Sequence, residues 1–527
     1  MGQLRDLDPE GLPRSLLAIR LLCRGFYQIG TPIAYHAVHL TDRVIRDDAE
    51  SLFPNALKHI FVHARHVVVR SNLNRQGVKT LLDNIQKLQS VRYIFAPFYV
   101  RPMPGLTRLL VPSWCYTDEG FRSGDLWCPS DILSLKSNNA KRPRIYVEDL
   151  PLRSLEGSQP DIYLRAIPSE LLVSLKLTMP TPPLTTRLNS LKRLLLEAQS
   201  LETFHYQDLG QGTQFTFSGS ERLPPFTELY MQSYNWNHSR SDVATHWDFS
   251  RIRSLEILSM PIYNFLSSVP FGDFSKLHTL HVEDYSAHCG PDRRKEATQE
   301  LYTLVRDHIQ ALKSLKIVCH VASFHLDGLL SHASTLQTLL FRDHVGFTEG
   351  DKHCPTLRHV ELARLSQAMT MLTTLEIDMD IMSTRAEKVC FLEAICEFPD
   401  LHTLTLHVQT RLMADHIYEA GDDPDKAEAK WAFQSLLRYR DISEDGHCHY
   451  EQGKQHWRRI TINVGGWRRV MIRRLGEAWR AQNRRGVFAE RCFVLERAPR
   501  GEYVAREQEV GRDEGSVGMP VVDLAEW

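Results

Sequence analysis

The side chains best equipped for chemistry in this 527-residue chain lie in two short runs. "HCHYEQGKQH" places His447, Cys448 and His449 in succession, with His456 beyond them, and all are types that ligate zinc. Adjacent residues do not readily close on one tetrahedral ion, because paired ligands in such sites are spaced by about two to four residues. The run is expected to be a surface loop. "EIDMD" sets Glu376, Asp378 and Asp380 on alternate positions, hence on one face of a strand, without the glycine-turned loop of a calcium site. No G-x-x-x-x-G-K-[ST] loop, G-x-S-x-G elbow or H-E-x-x-H helix occurs. The expectation is a chain with no catalytic residues, no metal site and no cofactor.

Composition narrows the classes further. A 43% hydrophobic content can build a large core, and a formal charge of −1 argues against a whole-molecule attraction to nucleic acid or an anionic membrane. Ten cysteines without a Cys-x-x-Cys pair are too sparse for a disulfide scaffold, which points to reduced thiols and a cytoplasmic or nuclear location. The opening "MGQLRDLDPEGLP" has no signal-peptide pattern, and Asp6 breaks the myristoylation pattern. The apolar run Ser15 to Leu40 is interrupted by Arg20 and Arg24, so it is not a membrane span.

The elements that must position any site emerge from a repeat. "LETFHYQD", "LHTLHVED", "LTTLEIDM" and "LHTLTLHV" are versions of L-x-x-L-x-L, the strand of a leucine-rich repeat. Ten starts occur at Leu172, Leu201, Phe226, Leu255, Leu277, Leu312, Leu336, Leu357, Leu372 and Leu401, mostly separated by 21 to 29 residues. Exceptions are a 15-residue interval, and a 35-residue one holding an inserted loop at "CGPDRR". Helical patterns precede several strands, as in "LKRLLLEAQS", "ATQELYTLVRDHIQA" and "FLEAICEF". Weaker strands at Val91, Leu106 and Arg144 extend the array toward residue 46. Eight residues after its start a regular repeat carries a ladder Asn or Cys, and none of the ten has either. The predicted fold is therefore α/β, an irregular leucine-rich-repeat solenoid or horseshoe over 46–410. An acidic loop and a basic α/β cap over 411–505 and a disordered tail over 506–527 complete it.

Within the cap, 12 arginines face three glutamates between Trp457 and Arg500, interleaved with Trp457, Trp467, Trp479 and Phe488. Such a block could grip nucleic acid. Alternation in "RITINV" instead favours a strand with its aromatics packed inward.

The amino-terminal "LDPEGLPRSLLAIRLLCRGFYQIGTPIAYHAVHL" resembles the second half of an F-box. Leu7, Asp8 and Pro9 match its Leu-Asp-Pro turn, and Leu21, Cys23, Arg24 and Phe26 its Leu-x-Cys-Arg-x-Phe pattern. "TPIAYHAVHL" resembles the exit into the first strand in fungal F-box proteins. The family's first helix, opening Leu-Pro-x-Glu, has no counterpart, so 1–45 reads as a truncated F-box-like segment. The resemblance implies a Skp-type adaptor and a cullin ligase core as partners, with Leu12, Leu16, Leu17, Ile19, Cys23 and Phe26 forming the adaptor-facing and inter-helix surfaces. The repeats would then hold a protein substrate, making the chain a non-enzymatic recognition subunit of a ubiquitin ligase. A stand-alone repeat scaffold and a nucleic-acid binder working through 457–500 are the alternatives.

Alternate strand positions flanking the core leucines supply the expected substrate-binding residues: His205, Glu228, Tyr230, His281, Glu283, His359, Glu361, Glu376, Asp378 and His407. Glu361, Glu376 and Asp378 are expected to form an acidic wall suited to a partner segment bearing Lys or Arg.

Overall fold

A computed structural model describes residues 24–46, 48–95, 128–133, 142–151, 166–178, 188–207, 214–284, 286, 291–343, 354–380, 383–411, 423–440, 455–464, 491–499 and 501–508. The chain divides into two compact units, Met1–Asn235 with Ser241–Arg251, and Trp236–Arg240 with Ile252–Trp527. Each carries an open, mostly parallel sheet whose strands follow one another in chain order.

The first unit contains β1 (Ala37–His39), β2 (His66–Arg70), β3 (Ser90–Ile94), β4 (Arg144–Pro151), β5 (Leu172–Thr178), β6 (Thr203–Gln207) and β7 (Glu228–Gln232), all parallel. Among its helices are α1 (Arg24–Ala34), α2 (Pro54–His63), α3 (Arg75–Asn84) and α4 (Leu188–Glu197). Parallel register aligns Val69, Tyr93, Val147, Leu175, Phe204 and Leu229 into one buried row.

The second unit contains β8 (Ser254–Met260), β9 (Thr279–Asp284), β10 (Ser314–Cys319), β11 (Thr338–Asp343), β12 (Thr374–Asp378), β13 (Thr403–Val408) and β14 (Arg459–Val464), again parallel. The strands β15 (Arg491–Arg497) and β16 (Tyr503–Gln508) then run antiparallel. Helices include α5 (Ile262–Ser268), α6 (Pro291–Thr303), α7 (His359–Ala368), α8 (Arg385–Cys396) and α9 (Pro424–Arg440). Here Leu255, Leu280, Leu315, Leu339, Leu375, Leu404 and Ile460 stand side by side, each at most 1% exposed. A second row of Ile257, Val282, Ile317, Phe341, Ile377, Leu406 and Ile462 lies beside it. Apolar residues of α5 and α6 close over β8 and β9, and α9 closes over β13 and β14. Burying each such side chain contributes about 1.5–3 kcal/mol.

Nine of the ten expected strand starts are strands, but Leu357 is not. It leads into α7, because the apolar series continues as Leu362, Leu365 and Met369, the spacing of a helical face. The anomalous 15-residue interval is thereby removed. In β8 the register sets Leu255 opposite Leu280, so Ile252 rather than Leu255 fills the first-leucine position. The Leu106 strand and the His447–His449 run lie outside the described residues. The acidic stretch after Glu419 is helical from Pro424, the "CGPDRR" insertion is helical from Pro291, and Arg506, Glu507 and Gln508 belong to β16 rather than to a tail.

In three of the described strands a buried polar group stands one residue earlier than the ladder position, seven residues after the first leucine. Asp284, Cys319 and Asp343 occupy that position and are buried. Asp284 accepts the amide N–H of Ile262, the first residue of α5, at 3.4 Å, and burial holds its carboxyl above the usual range. Asp343 accepts the Val321 N–H at 2.8 Å and pairs with the buried Arg294, whose guanidinium also donates to the Cys319 carbonyl at 3.1 Å. Asp378 accepts the Asp343 N–H at 2.9 Å. Each carboxylate thus ties down the chain at or just after the end of the preceding strand. At three strand ends, Asp149, Ser233 and Ser259 adopt left-handed backbone (φ 59°, 56° and 53°), two of them at bulges in β4 and β8.

Replacing Asp343 by Ala orphans Arg294 inside the core and should lower unfolding stability by about 3–5 kcal/mol. Asp343→Asn keeps an acceptor for Val321 and should cost less. Urea midpoints followed by circular dichroism measure both, and near-equal parent and Ala midpoints contradict this role.

Candidate recognition surface

Strand side chains that alternate with the buried rows form a half-exposed polar face in each unit. In the first, Lys176, His205 and Tyr230 lie in register on β5, β6 and β7. The His205 ring stacks on Tyr230 at 5.3 Å and its Nε2 hydrogen-bonds Glu228 Oε1 at 2.8 Å. The Tyr230 hydroxyl donates to Gln232 at 2.7 Å. Beside them Arg92 donates to Glu148 at 2.6 Å, with Lys176 4.0 Å from the same carboxylate. The His205 hydrogen bond holds the Glu228 carboxyl below its usual range against an opposing burial effect.

In the second unit Glu256 and His281 are direct cross-strand neighbours, joined Oε2 to Nδ1 at 3.1 Å, and Glu283 lies two residues further along β9. The first outward position of six successive strands is a hydroxyl: Ser254, Thr279, Ser314, Thr338, Thr374 and Thr403. On β12 and β13, Glu376 Oε1 meets His407 Nε2 at 2.7 Å, diagonally across the register. Burial pushes the Glu376 carboxyl up, but the His407 hydrogen bond and charge, helped by Arg342 and Lys316, leave it below the usual range.

The expected acidic wall is not assembled. His359 and Glu361 sit on α7, where Glu361 accepts the Arg358 N–H at 2.8 Å and its guanidinium at 2.9 Å, capping the helix. Asp378 is 1% exposed and spends its oxygens on Arg342 Nε at 3.0 Å and the Asp343 N–H. Burial raises its carboxyl pKa, with Arg342 opposing. His205, Glu228, Tyr230, His281, Glu283, Glu376 and His407 do line the strand face, His407 being buried at 8% exposure. Glu376, Asp378 and Asp380 are committed separately, to His407, Arg342 and Gln409. Among the described residues no group of three or more His, Cys, Asp or Glu side chains is placed to hold a metal.

Of the basic block, residues 465–490 lie outside the described set. Trp457 is fully buried and donates to the Leu436 carbonyl at 3.4 Å, so it has no face left for a base. Arg459 pairs with Glu496 at 3.1 Å, and Arg491 with Asp423 and Glu507 at 2.7 Å each. At the amino end Leu12, Leu16, Leu17, Ile19 and Cys23 lie outside the described residues. Phe26 is on α1, 51% exposed. Beside it the Tyr27 hydroxyl meets His59 Nε2 on α2 at 2.7 Å.

The depression of Glu228 and Glu376, the two glutamates held by strand-face histidines, carries a sign. A carboxyl whose folded pKa is depressed adds stability that is present above its unfolded pKa of about 4.3 and lost as pH falls through the lower folded value. His205→Gln with His407→Gln should therefore flatten the fall in urea midpoint between pH 5 and 3, by about 1 kcal/mol or less per partly buried pair. An unchanged acid limb contradicts the coupling. Arg491→Ala should lower stability by about 2 kcal/mol through loss of its charged hydrogen bonds, read as a shifted melting temperature.

No known protein family matches this chain and no curated protein matches its sequence, so the functional reading rests on these surfaces.

Proposed function

We propose that the chain is the substrate-recognition subunit of a cullin-type ubiquitin ligase, an irregular leucine-rich-repeat horseshoe that holds a protein target while an amino-terminal F-box-like segment docks on a Skp-type adaptor. Transfer chemistry belongs to the partner enzymes. The observation that supports this most is the outer face of α1. Phe26, Ile29 and Ile33, spaced by three and four residues on one helical face, are 51%, 60% and 37% exposed. Gly30 and Thr31 of the same helix are buried. Leu52 and Phe53 add apolar surface in the same unit, at 57% and 43% exposure. Clustered exposed apolar side chains mark an interaction site. The half-exposed strand face, by contrast, is polar and internally paired, which suits protein recognition better than a small apolar ligand.

Pull-down of the full chain should recover a Skp-type adaptor, and Phe26→Asp with Ile29→Asp should lose it. Burying carboxylates in a small apolar interface costs several kcal/mol, more than such an interface absorbs. The melting temperature should hold, because both residues are already exposed. Failure of the parent chain to capture an adaptor refutes the ligase reading.

A further inference from the structure

The first unit holds a cleft of about 380 Å³ along the amino-terminal ends of β4, β5 and β6 and the turn before β7. Its charged lining is Arg142, Arg144, Arg251, Glu170 and Glu202. Arg142 lies 3.9 Å from Glu170. The guanidiniums of Arg144 and Arg251, both exposed, have no hydrogen-bond or ion-pair partner among the described residues. That sets them apart from Arg92, Arg294, Arg342, Arg459 and Arg491, each held by a carboxylate.

We infer that this cleft binds an acidic segment of a partner protein, one presenting two carboxylate side chains a few residues apart. Arginine stays protonated at any physiological pH and its planar fork accepts a carboxylate bidentately. Three arginines against two glutamates leave the cleft cationic. Four neighbouring strand ends spaced by about 4.8 Å span roughly 14 Å, the length of about four extended residues. The apolar floor residues are themselves largely buried, Leu171 at 9% and Leu201 at 2% exposed, so the cleft offers an incoming group charge and hydrogen bonds rather than apolar contact. This deepens the recognition reading by naming a substrate class. It rests on that reading only in taking the occupant to be a protein, and it needs no adaptor.

The test is fluorescence anisotropy of the full chain with a labelled decapeptide containing two Asp-Glu pairs in a Gly/Ser frame. Binding should be saturable and salt-sensitive, and about tenfold weaker for Arg144→Glu with Arg251→Glu. It should also be about tenfold weaker when the peptide's acids are replaced by Lys. Arg144→Gln with Arg251→Gln, a milder pair, should weaken it in the same direction and keeps the test open if the reversed variant does not fold. Equal affinity of parent and Gln variant overturns the assignment. Tighter binding of inorganic phosphate, titrated alone, than of the peptide overturns the choice of a peptide. A chain that captures the adaptor but not the peptide overturns this inference alone. One that binds the peptide but no adaptor overturns the ligase reading and leaves the cleft assigned.

Discussion

In-register parallel pairing is the constraint on which everything else depends. A single strand–helix unit cannot bury its leucines, since each helix must roof more than one strand. The hydrogen-bonded ladder sets Leu255, Leu280, Leu315, Leu339, Leu375, Leu404 and Ile460 shoulder to shoulder, and the side-chain period of two then forces the residues between them onto the other face. A slip of one residue would bury the hydroxyl row and expose the leucine row. The same pairing that builds the core therefore also prints the polar face, and tolerance of unequal spacers follows because length varies outside the ladder.

That polar face is largely satisfied from within. Recurrent His–Glu pairs at His205, His281 and His407, the Arg342–Asp378 pair and the Arg92–Glu148 pair fix side chains before any partner arrives. Preorganised groups lose little freedom on binding, which favours specificity. Exposed apolar residues on α1 and the cleft arginines Arg144 and Arg251 contrast with this neutrality.

Strand identity and register were largely legible because L-x-x-L-x-L repeats carry the pattern many times over, so individual mismatches such as Phe226 do no harm. Leu357 misled because six residues of "LRHVEL" satisfy both a strand and a helix, and only Leu362, Leu365 and Met369 decide between them. The strand β2 escaped notice, since His-Val-Val-Val-Arg carries no leucine, and β1 was foreshadowed only by the resemblance of "TPIAYHAVHL". The site was less legible. Burial of Asp378 depends on Arg342 from the neighbouring strand, 36 positions away in the chain, and nothing local signals it. The buried aspartates were findable, had the second residue after the last core position been read for any acceptor, and not only the third for Asn or Cys. The arginine cleft was not, because Arg142, Arg144 and Arg251 meet only once the strands are laid side by side.

The antiparallel hairpin of β15 and β16 has a further consequence for the molecule as a building block. A run of identical parallel strands presents at its last member the same template that accepted every previous one, and a second copy could in principle add to it and seed a filament. Here β15 runs against the array and β16 turns back to run with it, pairing with β15 among the described residues, and Arg506 and Glu507 on β16 are exposed. A newcomer to that edge meets charged side chains in its path, a feature that blunts strand-to-strand addition.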